Sequence, residues 1–210
     1  IPMLKHQPTD DGVITAIVGS SGSGKTAWLK QQIATSSRLL VWDIEGQYTE
    51  NTKAVFTKEQ LAKAIQDPTA RISYQAKSLD DFDYWARCAF VFARLGSENG
   101  VMSDIVAEEL ADVTSPAKAP AGWGMLVRRG RKYGANIYGI TQRPAESDKT
   151  LFGNASVIHC CAMQRANDRV YMARELDIPL SDITGLDWDK MEYLHKNMRK
   201  RKMEKGRLTF

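Results

Sequence analysis

Long apolar runs are missing from this chain of 210 residues. Its best apolar segment, Cys88 to Leu95, carries Arg94 and falls well short of the roughly 18 uninterrupted apolar residues that a membrane span needs. The opening residues, Ile1-Pro2-Met3-Leu4-Lys5-His6-Gln7-Pro8, contain no apolar core of a secretory signal. A soluble, cytosolic protein is therefore expected. Cysteine is scarce. Cys88, Cys160 and Cys161 offer neither a disulfide framework nor a metal-binding spacing. Cys160 and Cys161 are adjacent, so on a strand they point to opposite faces, and they read as small buried residues of a reducing compartment. The histidines, His6, His159 and His195, stand far apart in sequence and none is assigned chemistry. There is no internal repeat. The hydrophobic fraction, 43%, is ordinary for a globular protein, and the length suits one large α/β domain spanning 1–210.

One stretch stands out: Gly19-Ser20-Ser21-Gly22-Ser23-Gly24-Lys25-Thr26, which fills every position of G-x-x-x-x-G-K-T. An apolar run, Val13 to Val18, leads into it, and Ala27 to Ala34 has helical composition. Strand, glycine-rich loop and helix in that order form a phosphate-binding loop. The three glycines let successive backbone N–H groups turn toward one anion, and the helix N-terminus adds partial positive charge. Lys25 is placed to reach the β- and γ-phosphates of a nucleoside triphosphate, and the Thr26 hydroxyl to hold Mg²⁺. The competing reading, a Gly/Ser-rich surface turn, lacks an explanation for the preceding strand.

The rest of the chain alternates strands and helices. Residues 1–12 read as an irregular lead-in with turn chemistry. Arg38 to Asp43 is a buried strand, and a helix-length crossover before it implies parallel pairing. Asp43-Ile44-Glu45-Gly46-Gln47-Tyr48 then lies on the ligand-binding edge of such a sheet. Ala54 to Phe56 and Arg71 to Gln75 are further strands. Thr57-Lys58-Glu59-Gln60 and Ser78-Leu79-Asp80-Asp81 are capping boxes that open helices. The second helix places Leu79, Phe82, Trp85, Ala89, Phe92 and Leu95 on one apolar face, to be ended near Gly96 to Gly100. Val101 to Leu110 is a strand candidate, 114–122 a flexible loop, and Trp123 to Tyr133 a basic helix stopped by Gly134. Asn136 to Thr141 and Ser156 to Met163 are strands, and Ala166 to Leu176 a helix. The segment 186–210 is basic and suits a terminal hairpin, with Met191 to Leu194 and Gly206 to Phe210 flanking a basic turn at 196–202.

Hydrolysis of a nucleotide needs more than the loop: an acid for the Mg²⁺ shell and a group that activates water. Ile105-Val106-Ala107-Glu108-Glu109 is an apolar strand ending in two acids, although the first is Glu where Asp is the common choice. Glu108 is assigned to the Mg²⁺ shell, with Asp104 as a less favoured candidate, and Glu109 as the base for the attacking water. The alternative is two exposed glutamates on a helix. Gln142, at the end of the strand Ile137–Thr141, can sense a γ-phosphate through its amide without adding charge. Net charge is +4, but basic residues cluster: Arg128, Arg129, Arg131 and Lys132 in one segment, and Lys190, Lys196, Arg199, Lys200, Arg201, Lys202, Lys205 and Arg207 in another. Such clusters suit a polyanion as well as a solvated face.

Taken in order, Gly19–Thr26, Asp43-x-x-Gly46-x-Tyr48, Glu108-Glu109, Arg129-Gly130-Arg131 and Thr141-Gln142-Arg143-Pro144 resemble the motif set of the FtsK–HerA superfamily of hexameric DNA pumps. The similarity covers residues 13–165. A stripped-down single domain is most similar to the genome-packaging ATPases of tailless, membrane-containing icosahedral viruses. The resemblance implies an α/β P-loop NTPase fold with a mostly parallel sheet flanked by helices. It implies ATP and Mg²⁺ as cofactors and double-stranded DNA, bound without sequence preference, as partner. It further implies a homo-oligomer, a hexamer in the working state, and capsid vertex or portal proteins as neighbours in the host cytoplasm and the virion. In such rings a neighbour supplies an arginine to the transition state. Arg129 is the residue assigned, and Arg128, Arg131 and Arg143 stay open beside it. The basic C-terminal turn or the loop 114–122 faces the DNA. Three other readings share the loop: a filamentous-phage assembly ATPase similar to zonula occludens toxin, which normally carries a transmembrane segment, a small-molecule P-loop kinase, and a nucleotide-binding structural protein of a virion vertex.

Overall fold

The computed structural model describes residues 11–209. His6 and most of the expected lead-in lie outside the described residues. The strands are β1 (Ile14–Val18), β2 (Leu39–Trp42), β3 (Lys53–Val55), β4 (Arg71–Tyr74), β5 (Ser103–Ala107), β6 (Ala135–Thr141), β7 (Val157–Cys161), β8 (Glu192–Asn197) and β9 (Lys202–Arg207). The helices are α1 (Lys25–Ile33), α2 (Lys58–Ala64), α3 (Phe82–Glu98), α4 (Leu110–Val113), α5 (Ala121–Arg129), α6 (Lys149–Asn154), α7 (Ala166–Leu176) and α8 (Leu180–Thr184). The strands form one sheet in the order β3-β4-β2-β5-β6-β1-β7-β8-β9. β2 pairs in parallel with β4 and β5, β3 with β4, and β1 with β7; β8 and β9 complete the sheet as an antiparallel hairpin. This is the mostly parallel α/β architecture, with a C-terminal hairpin, expected from the sequence.

Contacts gather into two compact units. The first holds Asp11–Val13, Thr35–Glu108 and Pro120–Tyr138 among the described residues. All four residues of β2 are buried, as a central parallel strand requires. Its Trp42 packs edge-on against Phe82 at 5.2 Å and lies 5.8 Å from Trp85, both on α3. Phe82, Trp85, Ala89 and Phe92 form the buried stripe of that helix, but Leu79 does not belong to it. Leu79 sits in a 3-10 turn (Leu79–Asp81) that precedes the helix, and it is 45% exposed. Ser78 caps this turn by accepting from the Asp80 N–H at 3.2 Å. Thr57 likewise accepts from the Gln60 N–H at 3.2 Å, while the Gln60 carboxamide takes the Phe56 N–H at 2.8 Å, one residue before the cap.

Arg38, which the sequence showed only as the start of a strand, is fully buried. Its guanidinium donates to the carbonyls of Ile65 and Phe92 at 3.2 and 3.1 Å and to that of Asp67, and it lies 3.7 Å over the Phe92 ring. Desolvation lowers its pKa to about 10. The basic helix is shorter than expected. α5 ends at Arg129, and a 3-10 turn (Gly130–Tyr133) carries the chain to Gly134 in the left-handed region at φ 65°.

The second unit holds Ile14–Ala34, Glu109–Ala119 and Gly139–Thr209 among the described residues. Every residue of β1 is buried, and Cys160 and Cys161 are both buried on β7, so both faces of that strand are covered. The hairpin strands reach into the expected turn, and the second begins and ends earlier than the sequence pattern indicated. Lys196 is in β8 and Lys202 in β9 rather than in the turn, and the Lys196 ammonium donates to the Leu176 carbonyl. Helices α6 and α8 were not anticipated.

The two described histidines are not scattered in space. His159 on β7 faces His195 on β8 across the antiparallel register, with Nδ1 atoms 3.4 Å apart. Trp28 of α1 stacks on the His159 ring at 3.9 Å and 14°, which ties α1 to β7. Burial, with the neighbouring His195 second, pushes the His159 pKa down to about 3; burial also lowers that of His195. A histidine whose folded pKa is depressed contributes stability above its unfolded pKa of about 6.5 and loses it as pH falls. Between about pH 6.5 and 4.5, denaturant titrations should therefore show stability falling by up to ~1.4 kcal/mol per pH unit for His159 alone. His159→Phe, which keeps a ring against Trp28, should flatten that slope; an unchanged slope would place the titration elsewhere.

Candidate active site

The end of β1 and the start of α1 set the loop. Gly22 and Gly24 have φ of 75° and 97°, and Gly24 is the residue before the first turn of α1. No side chain caps that helix, so its first N–H groups lie where an anion can accept them. The loop is braced from within. The Ser20 carbonyl accepts from Lys25 Nζ at 2.8 Å, from Ser23 Oγ at 2.7 Å and from Ser23 N at 3.2 Å. It is also braced against the chain after β7, since Ser20 N donates to the Ala162 carbonyl and Gln164 N to Ser20 Oγ, both at 3.0 Å. Lys25 is buried and Thr26 half-buried, both at the head of α1. Gly19, Ser20, Ser21, Gly22, Ser23, Gly24, Lys25 and Thr26 thus form one continuous cradle.

Glu109 and Gln142 are brought together from 33 positions apart. The Gln142 amide donates to Glu109 Oε2 at 2.9 Å, and the Gln142 backbone N–H to Oε1 at 3.1 Å. Glu109 itself has φ 46° and ψ 59°, left-handed backbone that a non-glycine residue adopts at a cost of about 1–3 kcal/mol. It stands immediately before α4, so the two acids are not on a helix. Farther along, Asp112 pairs with Arg143 at 3.0 Å and Thr114 Oγ1 accepts from the Asp148 N–H at 3.1 Å. The strained turn is therefore latched to the Thr141–Asp148 segment at several points.

Glu108 follows β5, with its N–H on the Trp42 carbonyl at 3.4 Å. The Tyr48 hydroxyl donates to its carboxylate, a contact that sequence reasoning missed. Asp104 is a different case. It lies at the start of β5, opposite Leu39, whereas Ala107 at the carboxyl end lies opposite Trp42. Its carboxylate accepts from Ser36 Oγ at 2.5 Å and Asn136 Nδ2 at 3.0 Å. Asp104 is thus at the wrong end of a parallel strand for ligand chemistry, and that alternative for the metal shell falls.

The arginines separate by environment. Arg143 is engaged within its own chain, by Asp112 and by Glu146 at 3.3 Å. Arg131 pairs with Asp11 at 3.7 Å. Arg128 and Arg129, on the last turn of α5, are exposed and make no ion pair among the described residues.

No family model matches the chain. It is 33% identical over 185 residues to Protein P9 of Pseudoalteromonas phage PM2, covering 87% of this chain and 84% of Protein P9. Among solved structures it resembles the genome packaging NTPase B204 of Sulfolobus turreted icosahedral virus 2 in complex with AMPPCP. That likeness has a TM-score of 0.76 at 13% identity and covers 94% of this chain and 98% of B204. The cytoplasmic domain of the type VII secretion ATPase EccC of Thermomonospora curvata is more distant, with a TM-score of 0.56 at 15% identity over 94% of this chain and 25% of that one. At these identities the structural likenesses establish the fold.

The loop's packing yields a direct test. A Cβ at Gly19 would come within 2.7 Å of both Cys161 Cβ and Ser23 Oγ. Gly19→Ala should destabilise the chain by about 1–3 kcal/mol in urea titrations and weaken binding of a fluorescent ATP analogue. Wild-type stability and affinity would show that the loop does not need this close approach.

Proposed function

The chain belongs to the family of Protein P9 of phage PM2 and has the fold of the FtsK–HerA P-loop ATPases, and on that premise we propose that it hydrolyses ATP to drive double-stranded DNA into a viral capsid. The observation that carries the reading is the pairing of Glu109 with Gln142. A P-loop domain that only binds nucleotide has no need of a strained carboxylate hydrogen-bonded to an amide. Glu109 is the base that takes a proton from the attacking water, and Gln142 reads the γ-phosphate. Lys25 contacts the transferring phosphate. The backbone of Gly19–Thr26 holds the remainder of the triphosphate. Thr26 and Glu108 offer a hydroxyl and a carboxylate, hard oxygen donors of the kind Mg²⁺ selects. Bound there, Mg²⁺ would offset charge on the β- and γ-phosphates. Arg129 is assigned as the arginine given to a neighbouring copy's site: it is exposed and makes no ion pair among the described residues, a state that Arg128 shares, while Arg143 and Arg131 are engaged.

Of the two segments that could face DNA, the hairpin turn is favoured. Lys202 and Lys205 of β9 are paired with Glu204 and Glu192, whereas Arg199, Lys200 and Arg201 at the tip are exposed and make no ion pair among the described residues. Such a tip binds phosphates, so affinity falls steeply with salt. A hexamer encircling the duplex and docked on a capsid vertex completes the reading.

ATP turnover should rise when double-stranded DNA of any sequence is added, and Lys25→Ala and Glu109→Gln should each cut it by about 100-fold or more. Replacing Arg199, Lys200 and Arg201 together by Ala should abolish the stimulation and spare basal turnover. Turnover indifferent to Lys25 and Glu109 would end the catalytic assignment. Mixing Lys25→Ala with Arg129→Ala should restore part of the activity, since each copy then supplies what its neighbour lacks. If the mixture stays as inactive as its components, Arg129 does not act between copies.

A further inference from the structure

The sequence Asp43-x-x-Gly46-x-Tyr48 has so far no task. Asp43 is buried at the end of β2, and its carboxylate is fully engaged: Oδ1 accepts from Gln47 N at 2.7 Å, and Oδ2 from Tyr48 N at 3.0 Å and from Ser73 Oγ at 2.6 Å. With three donors on it, Asp43 is a brace for its own turn rather than a ligand-binding acid. Gly46 makes the turn possible. It lies at φ 66°, and its N–H returns to the Asp43 carbonyl at 3.3 Å. The turn delivers Tyr48, which is held at both backbone groups: its N–H by Asp43 and its carbonyl by the Thr52 hydroxyl. Tyr48 is only 3% exposed, and its hydroxyl ends on the Glu108 carboxylate.

We propose that this turn is a bracket whose product is the orientation of Glu108, with Tyr48 as its positioning residue. β2 and β5 are parallel neighbours, with Trp42 opposite Ala107, so their carboxyl ends emerge side by side. A residue that follows β2 by a short turn can therefore reach the residue that follows β5. The need for it lies in the side chain at 108. Glutamate has one more rotatable bond than the aspartate commonly found at this place, and freezing a flexible side chain costs free energy at the moment of binding. A charge-assisted hydrogen bond from a buried, backbone-clamped phenol fixes the carboxylate in advance. Partners of this kind behind a metal-binding carboxylate typically change metal affinity when removed.

The inference rests on the Mg²⁺ role given to Glu108 above, and one experiment separates the two. Binding of a fluorescent, non-hydrolysable ATP analogue is titrated with Mg²⁺ in the full chain and in Tyr48→Phe, Glu108→Gln and the double variant. Circular dichroism melts run beside it confirm folding, and Tyr48→Phe retains the buried ring. Tyr48→Phe should raise the half-saturating Mg²⁺ concentration by about tenfold and leave Mg²⁺-free nucleotide affinity unchanged. Glu108→Gln should raise it at least as far, and the double variant no further than Glu108→Gln. A shift in Glu108→Gln with none in Tyr48→Phe overturns the bracket, as do additive shifts in the double variant. No shift in Glu108→Gln overturns the metal role itself. Ser73→Ala, which removes one donor to Asp43, should move the midpoint in the same direction by a smaller factor; a wild-type midpoint there would detach Asp43 from the bracket.

Discussion

The backbone N–H groups at the head of α1 must stay open to one point while the loop before them is held in shape, and the rest of the structure follows from that demand. Glycines with positive φ turn the chain, and an uncapped helix keeps its first donors available. Left alone, such a loop would be floppy. It is stiffened by its own contacts: the Ser20 carbonyl gathers Lys25 and Ser23, and the segment after β7 takes up Ser20. The helix behind it is anchored in turn by Trp28, which stacks on the buried His159 ring. The shape of the loop thus rests on packing well beyond it.

Two acids follow one another in sequence but are treated differently by the fold. Glu108 is oriented by a phenol delivered from the turn after β2. Glu109 is oriented by an amide delivered from the end of β6, and its backbone is strained to make that possible. Strain of this type persists only where surrounding contacts over-determine the conformation. The Arg143–Asp112 pair and the Thr114–Asp148 contact provide that surplus. Exposed ion pairs add little to stability, so the value of Arg143 lies in where it holds the turn.

Much of this is legible in the sequence. The loop, the strand before it and the helix Ala166–Leu176 are local patterns, and local patterns survive in sequence. The apolar stripe of α3 was equally plain, apart from Leu79, because a 3-10 turn breaks the helical period there. What could not be read were meetings across long separations. Nothing near Arg38 announces three carbonyls and a phenylalanine ring, and His159 and His195 meet only through a hairpin register. Asp104 looked like a ligand by composition alone; strand direction put it at the wrong end. Tyr48 had a visible signal, the glycine two residues before it and the acid five before, but its target needed the β2–β5 pairing.

The account's central claim is that turnover at this site moves duplex DNA. The most direct measurement is displacement of a third strand from a DNA triplex by the purified chain, assembled with ATP at low salt. ATP-dependent displacement that stops when a non-hydrolysable analogue replaces ATP is the predicted result. ATP consumption on the same DNA with the third strand left in place would contradict it.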